Sequence, residues 1–172
     1  REHQVSVPLN DFAAIDAVFA QHSDDIAAIL IEPIMGNCGS IASTQAYMQK
    51  LRELSDSNGS LLIMDEVKTG FRVAKGGVQA LYNIHADLTT YAKAMGNGYP
   101  VAAFGGRADV MSAISFDKNG VTHGGTYTAN MVALSAAKAT LTLLKETDAL
   151  TTIDRVGEEI QALLSRVFSK FD

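Results

Sequence analysis

The period of the apolar positions changes several times along the chain, and each change marks an element. From residues 10 to 21, Phe12, Ile15, Val18 and Phe19 recur at helical spacing, with Asn10 placed to cap the helix. Residues 26–34 (IAAILIEPI) form an apolar run broken only by Glu32 and Pro33, the pattern of a strand covered on both faces. Gly36 and Gly39 mark a loop. A second helix is predicted over 44–57, with Tyr47, Met48, Leu51 and Leu54 inward and Asn58-Gly59 as its terminator. Residues 60–66 (SLLIMDE) read as a second buried strand that ends on two carboxylates. A glycine-rich stretch leads to a short helix over 77–83. Strand candidates follow at 87–92 (DLTTYA) and 102–105 (AAFG). A long helix is predicted over 128–146, with Val132, Ala133, Ala136, Ala137, Thr140, Leu143 and Leu144 on one side. Another is predicted over 150–171, with Ile153, Val156, Ile160, Leu163, Leu164, Val167 and Phe168 inward.

Strands that alternate with helices predict an α/β fold with a mostly parallel sheet. The apolar strand runs and the glycines stop near residue 147, so 1–147 reads as one domain and 148–172 as a helix leading out of it. The chain opens on Arg1 rather than Met and closes inside an apolar-periodic segment, so both ends are expected to be cut from a longer protein. Hydrophobic residues are 47% of the 172 and charged residues 19%, which gives material for a core and excludes intrinsic disorder. The net charge of −5 argues against a nucleic acid or an anionic membrane as the main partner. No apolar run approaches the roughly 20 residues that span a bilayer. Cys38 stands alone, so no internal disulfide is expected. With no secretory signal visible, a reducing cytoplasmic compartment is expected.

Ligands of open α/β sheets bind beyond the carboxyl ends of the strands, which directs attention to four places: Glu32 to Gly39, Asp65 to Gly70, Lys93 to Tyr99, and the loop 123–126. Asp65 ends an apolar run, where a carboxylate is expensive without a cation or donors. It reads equally as a helix cap or ion pair and as a fixed charge facing a cationic ligand group. Lys93 precedes Gly96-Asn97-Gly98 between the small residues Ala92 and Ala94, with room for something to approach its amine. It reads first as a solvated loop lysine and second as a nucleophile of the Schiff-base type. Val101 stands where a G-x-G-x-x-G would need its third glycine, and there is no Walker A motif. His123-Gly124-Gly125-Thr126 leads toward a helix, so Thr126 and Thr128 read as N-caps, or the loop as a phosphate seat at a helix N-terminus. The four histidines His3, His22, His85 and His123 lack metal-ligand spacing, and no Ser-His-Asp set is readable.

Taken together, LLIMDEVKTGFR (61–72), AKAMGNGYPV (92–101), HGGTYTAN (123–130) and IEPIMGNCG (31–39) resemble a class III aminotransferase, a pyridoxal-phosphate enzyme of fold type I. The resemblance runs from about Asn10 onward. DEVKTGFRVAKGGVQ (65–79), AAFGGRADVM (102–111) and Asn37, where the ornithine and 4-aminobutyrate branches carry Glu, are most similar to the glutamate-1-semialdehyde 2,1-aminomutase group and its transaminase relatives.

The resemblance implies a mostly parallel sheet sandwiched by helices, the large cofactor-binding domain over 1–147, and a helix over 148–172 leading to a small C-terminal domain. It implies pyridoxal 5'-phosphate as cofactor, with Lys93 holding it covalently and shuttling protons. Asp65 would sit on the pyridine nitrogen, and Val67, two residues on and on the same side of the extended chain, would pack on the ring face. Thr126, with Gly125, would bind the phosphate across a homodimer interface. The substrate would be a small amino or keto acid. Position 68 departs from the pattern: Lys68 stands where many members carry Gln and the aminomutases Met. The resemblance also places a phosphate-binding turn and a ring-stacking aromatic upstream of Arg1. A decarboxylase or racemase outcome, or a non-catalytic scaffold, stays open at this point.

Overall fold

The computed structural model describes residues 3–171. Its centre is a four-stranded sheet in the order β1-β4-β5-β6. Strands β1 (Ala28–Ile31), β4 (Leu61–Asp65) and β5 (Leu88–Tyr91) run parallel, with Ile31 opposite Met64 and Asp65 opposite Thr90. β6 (Ala103–Gly106) pairs antiparallel with β5. The architecture is α/β with a mostly parallel sheet, as the alternation predicted.

Two helices build the core on one face of this sheet. α1 (Phe12–His22) supplies Ile15 and Phe19, and α2 (Gln45–Asn58) supplies Tyr47, Met48 and Leu51; these meet Leu62 and Met64 of β4 and Ile84. α2 starts where Thr44 Oγ1 accepts from the Tyr47 amide at 3.1 Å and ends at Gly59, whose φ of 74° suits a residue without Cβ. α1 corrects the expected cap. Asp11 is the extended residue before the first helical one, and its carboxylate accepts from the Ala14 amide at 2.9 Å. Asn10 instead ties the two helix starts together, donating to the Ala42 carbonyl and accepting from the Thr44 amide at 2.8 Å.

The apolar run 26–34 is not one strand. Pro33 has no amide to offer a ladder, and the chain leaves the sheet after Ile31. It resumes as β2 (Ile34–Met35), which pairs antiparallel with β3 (Ile41–Ala42) in a separate ribbon. Nor is β1 covered on both faces: Ile29 and Ile31 are half-buried, while Leu30 is 71% exposed. Helices cover the Leu62–Met64 face, and the described residues leave the other face of β1 open.

α3 (Gly77–Tyr82) lies within a residue of its predicted span. α4 (Ala108–Met111) was not predicted, being too short to show a period. α5 (Met131–Glu146) starts three residues later than predicted. Ala129 is left-handed at φ 60°, which stops the helix, and Asn130 rather than Thr126 or Thr128 caps it, accepting from the Val132 and Ala133 amides. α6 (Ala149–Phe168) ends short of residue 171. Of its apolar stripe only Leu150 is buried; Ile153, Val156, Ile160, Leu163, Leu164, Val167 and Phe168 are exposed. The expectation of an inward face is corrected: the stripe is amphipathic, and no described element covers it. No described helix is long and apolar enough to cross a membrane.

Candidate active site

The parallel pairing of β4 and β5 carries Asp65 and Lys93 to the same edge of the sheet. Asp65 is the last residue of β4, and Lys93 follows the last residue of β5 by two. Neighbouring strands lie about 4.8 Å apart, and both residues leave the sheet at this edge, with Lys93 three positions beyond Thr90, the register partner of Asp65. The Glu66 amide donates to the Thr90 carbonyl at 3.0 Å, continuing the ladder to the point where the chains diverge.

Lys93 opens a short 3₁₀ turn, Lys93–Met95, with its carbonyl accepting from the Gly96 and Asn97 amides at 3.1 and 2.9 Å. Its φ is 40°, a left-handed setting that an L-residue enters at about 1–2 kcal/mol. Strain of this kind persists only where the surroundings over-determine it, and it clusters at functional positions. The Lys93 side chain is exposed and makes no hydrogen bond or ion pair among the described residues.

Asp65 is half-buried. Its Oδ1 accepts from the Val67 amide at 2.9 Å, a turn that ends the strand, and its second oxygen takes no hydrogen bond among the described residues. That turn corrects one expectation. Val67 does not share a strand face with Asp65, because the extended chain ends at Asp65 and folds back. Val67 is nonetheless half-buried beside it.

Glu66, next in the chain, has a different task that the sequence did not reveal. It is fully buried, and its carboxylate accepts from Thr69 Oγ1 at 2.8 Å, the Val78 amide at 2.9 Å and the Gln79 amide at 3.2 Å. Three donors, two of them orphan amides at the start of α3, offset the burial of a charge. Gly77 lies against this carboxylate at φ 66°, and any Cβ there would overlap it. Glu66 thus pins α3 to the end of β4, while Asp65 faces the open edge. Gln79 extends the pin, donating to Thr89 Oγ1 at 3.0 Å and to the Tyr91 phenol at 3.3 Å. Burial pushes the Tyr91 phenol above its usual pKa.

Two positions read separately in the sequence meet in space. Lys68 Nζ donates to Asn37 Oδ1, joining the loop after β4 to the turn between β2 and β3. No signal for this contact is readable in the linear pattern, because residue spacing does not report which loops lie together in space.

The opposite end of β5 holds an ion cluster that the sequence also left unremarked. Asp87 is 2% exposed and accepts from Arg107 at 2.7 Å, Arg52 at 2.9 Å and the Leu62 amide at 2.7 Å. Burial alone would raise its pKa, but the amide and the two guanidiniums together hold it below the usual carboxylate value.

The 123–126 loop is exposed throughout. His123 stacks edge-to-face on Phe104 at 5.0 Å, and Gly125 closes a turn with the Thr128 amide at 3.0 Å. Thr126 lies five positions before Met131, so it is outside the first turn of α5. Among the described residues, no hydrogen bond links Gly125 or Thr126 to Asp65 or Lys93. A cavity of about 1080 Å³ lies between residues 3–9, α1 and β1, and neither Asp65 nor Lys93 lines it.

The class-III aminotransferase family model matches residues 3–171. A glutamate-1-semialdehyde 2,1-aminomutase of Rhodopirellula baltica is 41% identical over 165 residues, covering 96% of this chain and 37% of that protein. Among solved structures, a beta-phenylalanine aminotransferase from Variovorax paradoxus superposes with a TM-score of 0.85 at 35% identity, over 92% of this chain and 36% of its own. A transaminase with PLP bound superposes with a TM-score of 0.76 at 35% identity, over 81% of this chain and 33% of its own. The chain therefore spans well under half the length of the relatives it matches. Fold and sequence agree, and this chain belongs to the class-III aminotransferase family.

Proposed function

We propose that the protein carrying this chain transfers amino groups on pyridoxal 5'-phosphate, and that this chain contributes the edge on which the cofactor sits. The observation that supports this most is the pair at one sheet edge: a left-handed Lys93 and an Asp65 with one carboxylate oxygen uncommitted, neither amine nor oxygen engaged among the described residues, at the ends of neighbouring parallel strands. Their chemistry fits the cofactor. An amine with no competing partner is available to condense with an aldehyde, and a carboxylate is the counter-charge a protonated ring nitrogen requires.

In this reading Lys93 holds the cofactor and moves a proton between the substrate's α-carbon and the cofactor's C4′. Asp65 keeps the proton on the ring nitrogen. Val67 packs on the ring. Gly125 and Thr126 hold the phosphate of a neighbouring subunit, which accounts for a loop that stands exposed and apart from its own Asp65. Bound there, the cofactor supplies an electron-withdrawing ring that stabilises negative charge on the substrate. Residues 1–147 belong to the large domain, and 148–172 lead into the small one. The protein works as a cytoplasmic homodimer on a small amino or keto acid.

Isomerisation of glutamate 1-semialdehyde to 5-aminolevulinate is the first reading, supported by the named relative and by Asn37. Transfer to a separate keto acid is the second, supported by the aminotransferase that superposes best of the two described above. Conversion of the semialdehyde with no keto acid added separates them. The underlying reading predicts a yellow band that vanishes on borohydride treatment, with mass spectrometry placing the fixed adduct on Lys93. A full-length protein that stays colourless with added cofactor overturns it.

A further inference from the structure

Lys68 has no role in the proposed function, yet the structure builds a seat for it. Its stem crosses Gly36 so closely that a Cβ there would overlap Lys68 Cδ, and its ammonium donates to Asn37 Oδ1. Asn37 is neutral, so the charge is steadied without being cancelled. Among the described residues no carboxylate lies within ion-pair distance of it. A lysine ammonium has three N–H donors, and this one has spent a single donor on the protein. Arg72 adds a second cation to the same turn, its Nε donating to the Lys68 carbonyl at 3.0 Å.

The placement gives this charge a direction. Lys68 follows Asp65 by three residues and reaches to the turn of the β2–β3 ribbon, while Lys93 leaves β5 at the neighbouring strand end. Asp65 thus stands between two amines with unlike surroundings. Lys93 is without a partner among the described residues, and Lys68 is propped by the side-chain amide of Asn37. A held cation with two open donors suits an oxyanion, whether it comes from a substrate carboxylate or from the cofactor's own oxygens.

We propose that Lys68 is a specificity-determining residue: its ammonium, seated over Gly36 and steadied by Asn37, receives a carboxylate of the substrate, so that an amino acid is chosen over the corresponding plain amine. This rests on the proposed function. Lys68→Met tests it in the full-length protein with cofactor, because methionine keeps an unbranched stem over Gly36 and removes the charge. Two donors are compared, an amino acid and the amine of the same skeleton without its carboxylate. A small aliphatic dicarboxylate that cannot react is titrated alongside.

The expected result for Lys68→Met is a KM for the amino acid raised roughly 10- to 100-fold with kcat little changed. The dissociation constant of the dicarboxylate should rise by a similar factor. The plain amine should be unaffected, and Lys68→Arg should recover most of the preference. The borohydride-fixed adduct on Lys93 and the absorption band should stay as in the unmodified protein. Equal losses for both donors overturn the inference, as does an unchanged preference with a shifted band or weakened cofactor binding, which would assign Lys68 to the cofactor. An unmodified protein that forms no Lys93 adduct overturns the proposed function and this inference with it. An intact adduct with no discrimination overturns the inference alone.

Discussion

Residues 12–91 and 131–168 spend their apolar side chains in opposite ways. In residues 12–91, α1, α2 and β4 turn Ile15, Phe19, Met48, Leu51, Leu62 and Met64 onto one another, and most of these are almost fully buried. In residues 131–168, α5 buries Ala133 and Ala137 and half-buries Leu141 and Leu144, α6 buries Leu150, and most of the other long apolar side chains stand in solvent. The same helical period thus built a core in one region and an uncovered stripe in the other. Periodicity reports that a face is apolar; it does not report what covers it. The first region holds Asp65 and Lys93 rigidly from behind, whereas the second is held mainly through α5.

The largest effect that would sharpen this contrast is chemical. If the rigid half carries the reaction, Asp65→Asn should lower turnover by about 10²–10⁴-fold, because a neutral amide does not keep a ring nitrogen protonated. The far-ultraviolet circular dichroism should be unchanged, since Asn keeps an oxygen for the Val67 amide. Glu66→Gln, one residue along, should act instead on stability, weakening the tie to α3 while leaving the cofactor band in place. A rate near that of the unmodified protein for Asp65→Asn would break the assignment.

The elements were legible where local chemistry fixes them. Thr44 and Gly59 bound α2 within a residue of its predicted span, because a hydroxyl cap and a left-handed glycine act on their own neighbours. The start of α5 was missed because Ala129 carries no turn signal in its identity and Asn130 outcompeted two threonines that also read as caps. Asp65 and Lys93 could be picked out individually, but their shared edge follows from strand order, which the motifs implied and the spacing did not. Lys68 with Asn37, and Asp87 with Arg52 and Arg107, are contacts between distant loops and helices; nothing in the linear pattern pairs them. Glu66 was visible as one of two carboxylates, but successive residues of a strand point to opposite faces, and only the fold shows which one faces the ligand edge.

A packing pair tests the contrast directly, and its effect is smaller in rate terms but large in stability. Leu51→Ala removes a side chain that is 1% exposed, and should destabilise the chain by about 2–5 kcal/mol. Leu163→Ala, at a position 50% exposed on α6, should shift stability by no more than about 0.5 kcal/mol, since alanine is also the better helix former. Urea titrations of the 172-residue chain measure both. Equal costs would mean that α6 is as firmly packed as α2. Hydrogen exchange gives the same comparison without mutation: the amides of α2 and β4 should be protected far longer than those of α6.

The smallest expected effect concerns acid, and it too separates the two regions. Asp87 binds the first region together, linking α2 through Arg52, the chain after β6 through Arg107 and β4 through the Leu62 amide. Because these partners hold its pKa below the unfolded value, the folded state binds fewer protons there. The stability it contributes is fully present above the unfolded carboxylate value, near pH 4, and is lost as the pH falls from there through the folded value. The ion pairs of α6 lie elsewhere. Arg155 meets Glu159 at 2.6 Å with both side chains more than 60% exposed, and exposed pairs contribute little. Stability measured from pH 6 down to pH 2 should therefore fall less steeply in Asp87→Asn than in the unmodified chain, with the difference confined to the acid end. Glu159→Gln should leave the slope as it was. If the two substitutions flatten the curve alike, acid sensitivity is spread over the surface and the buried cluster is not its centre.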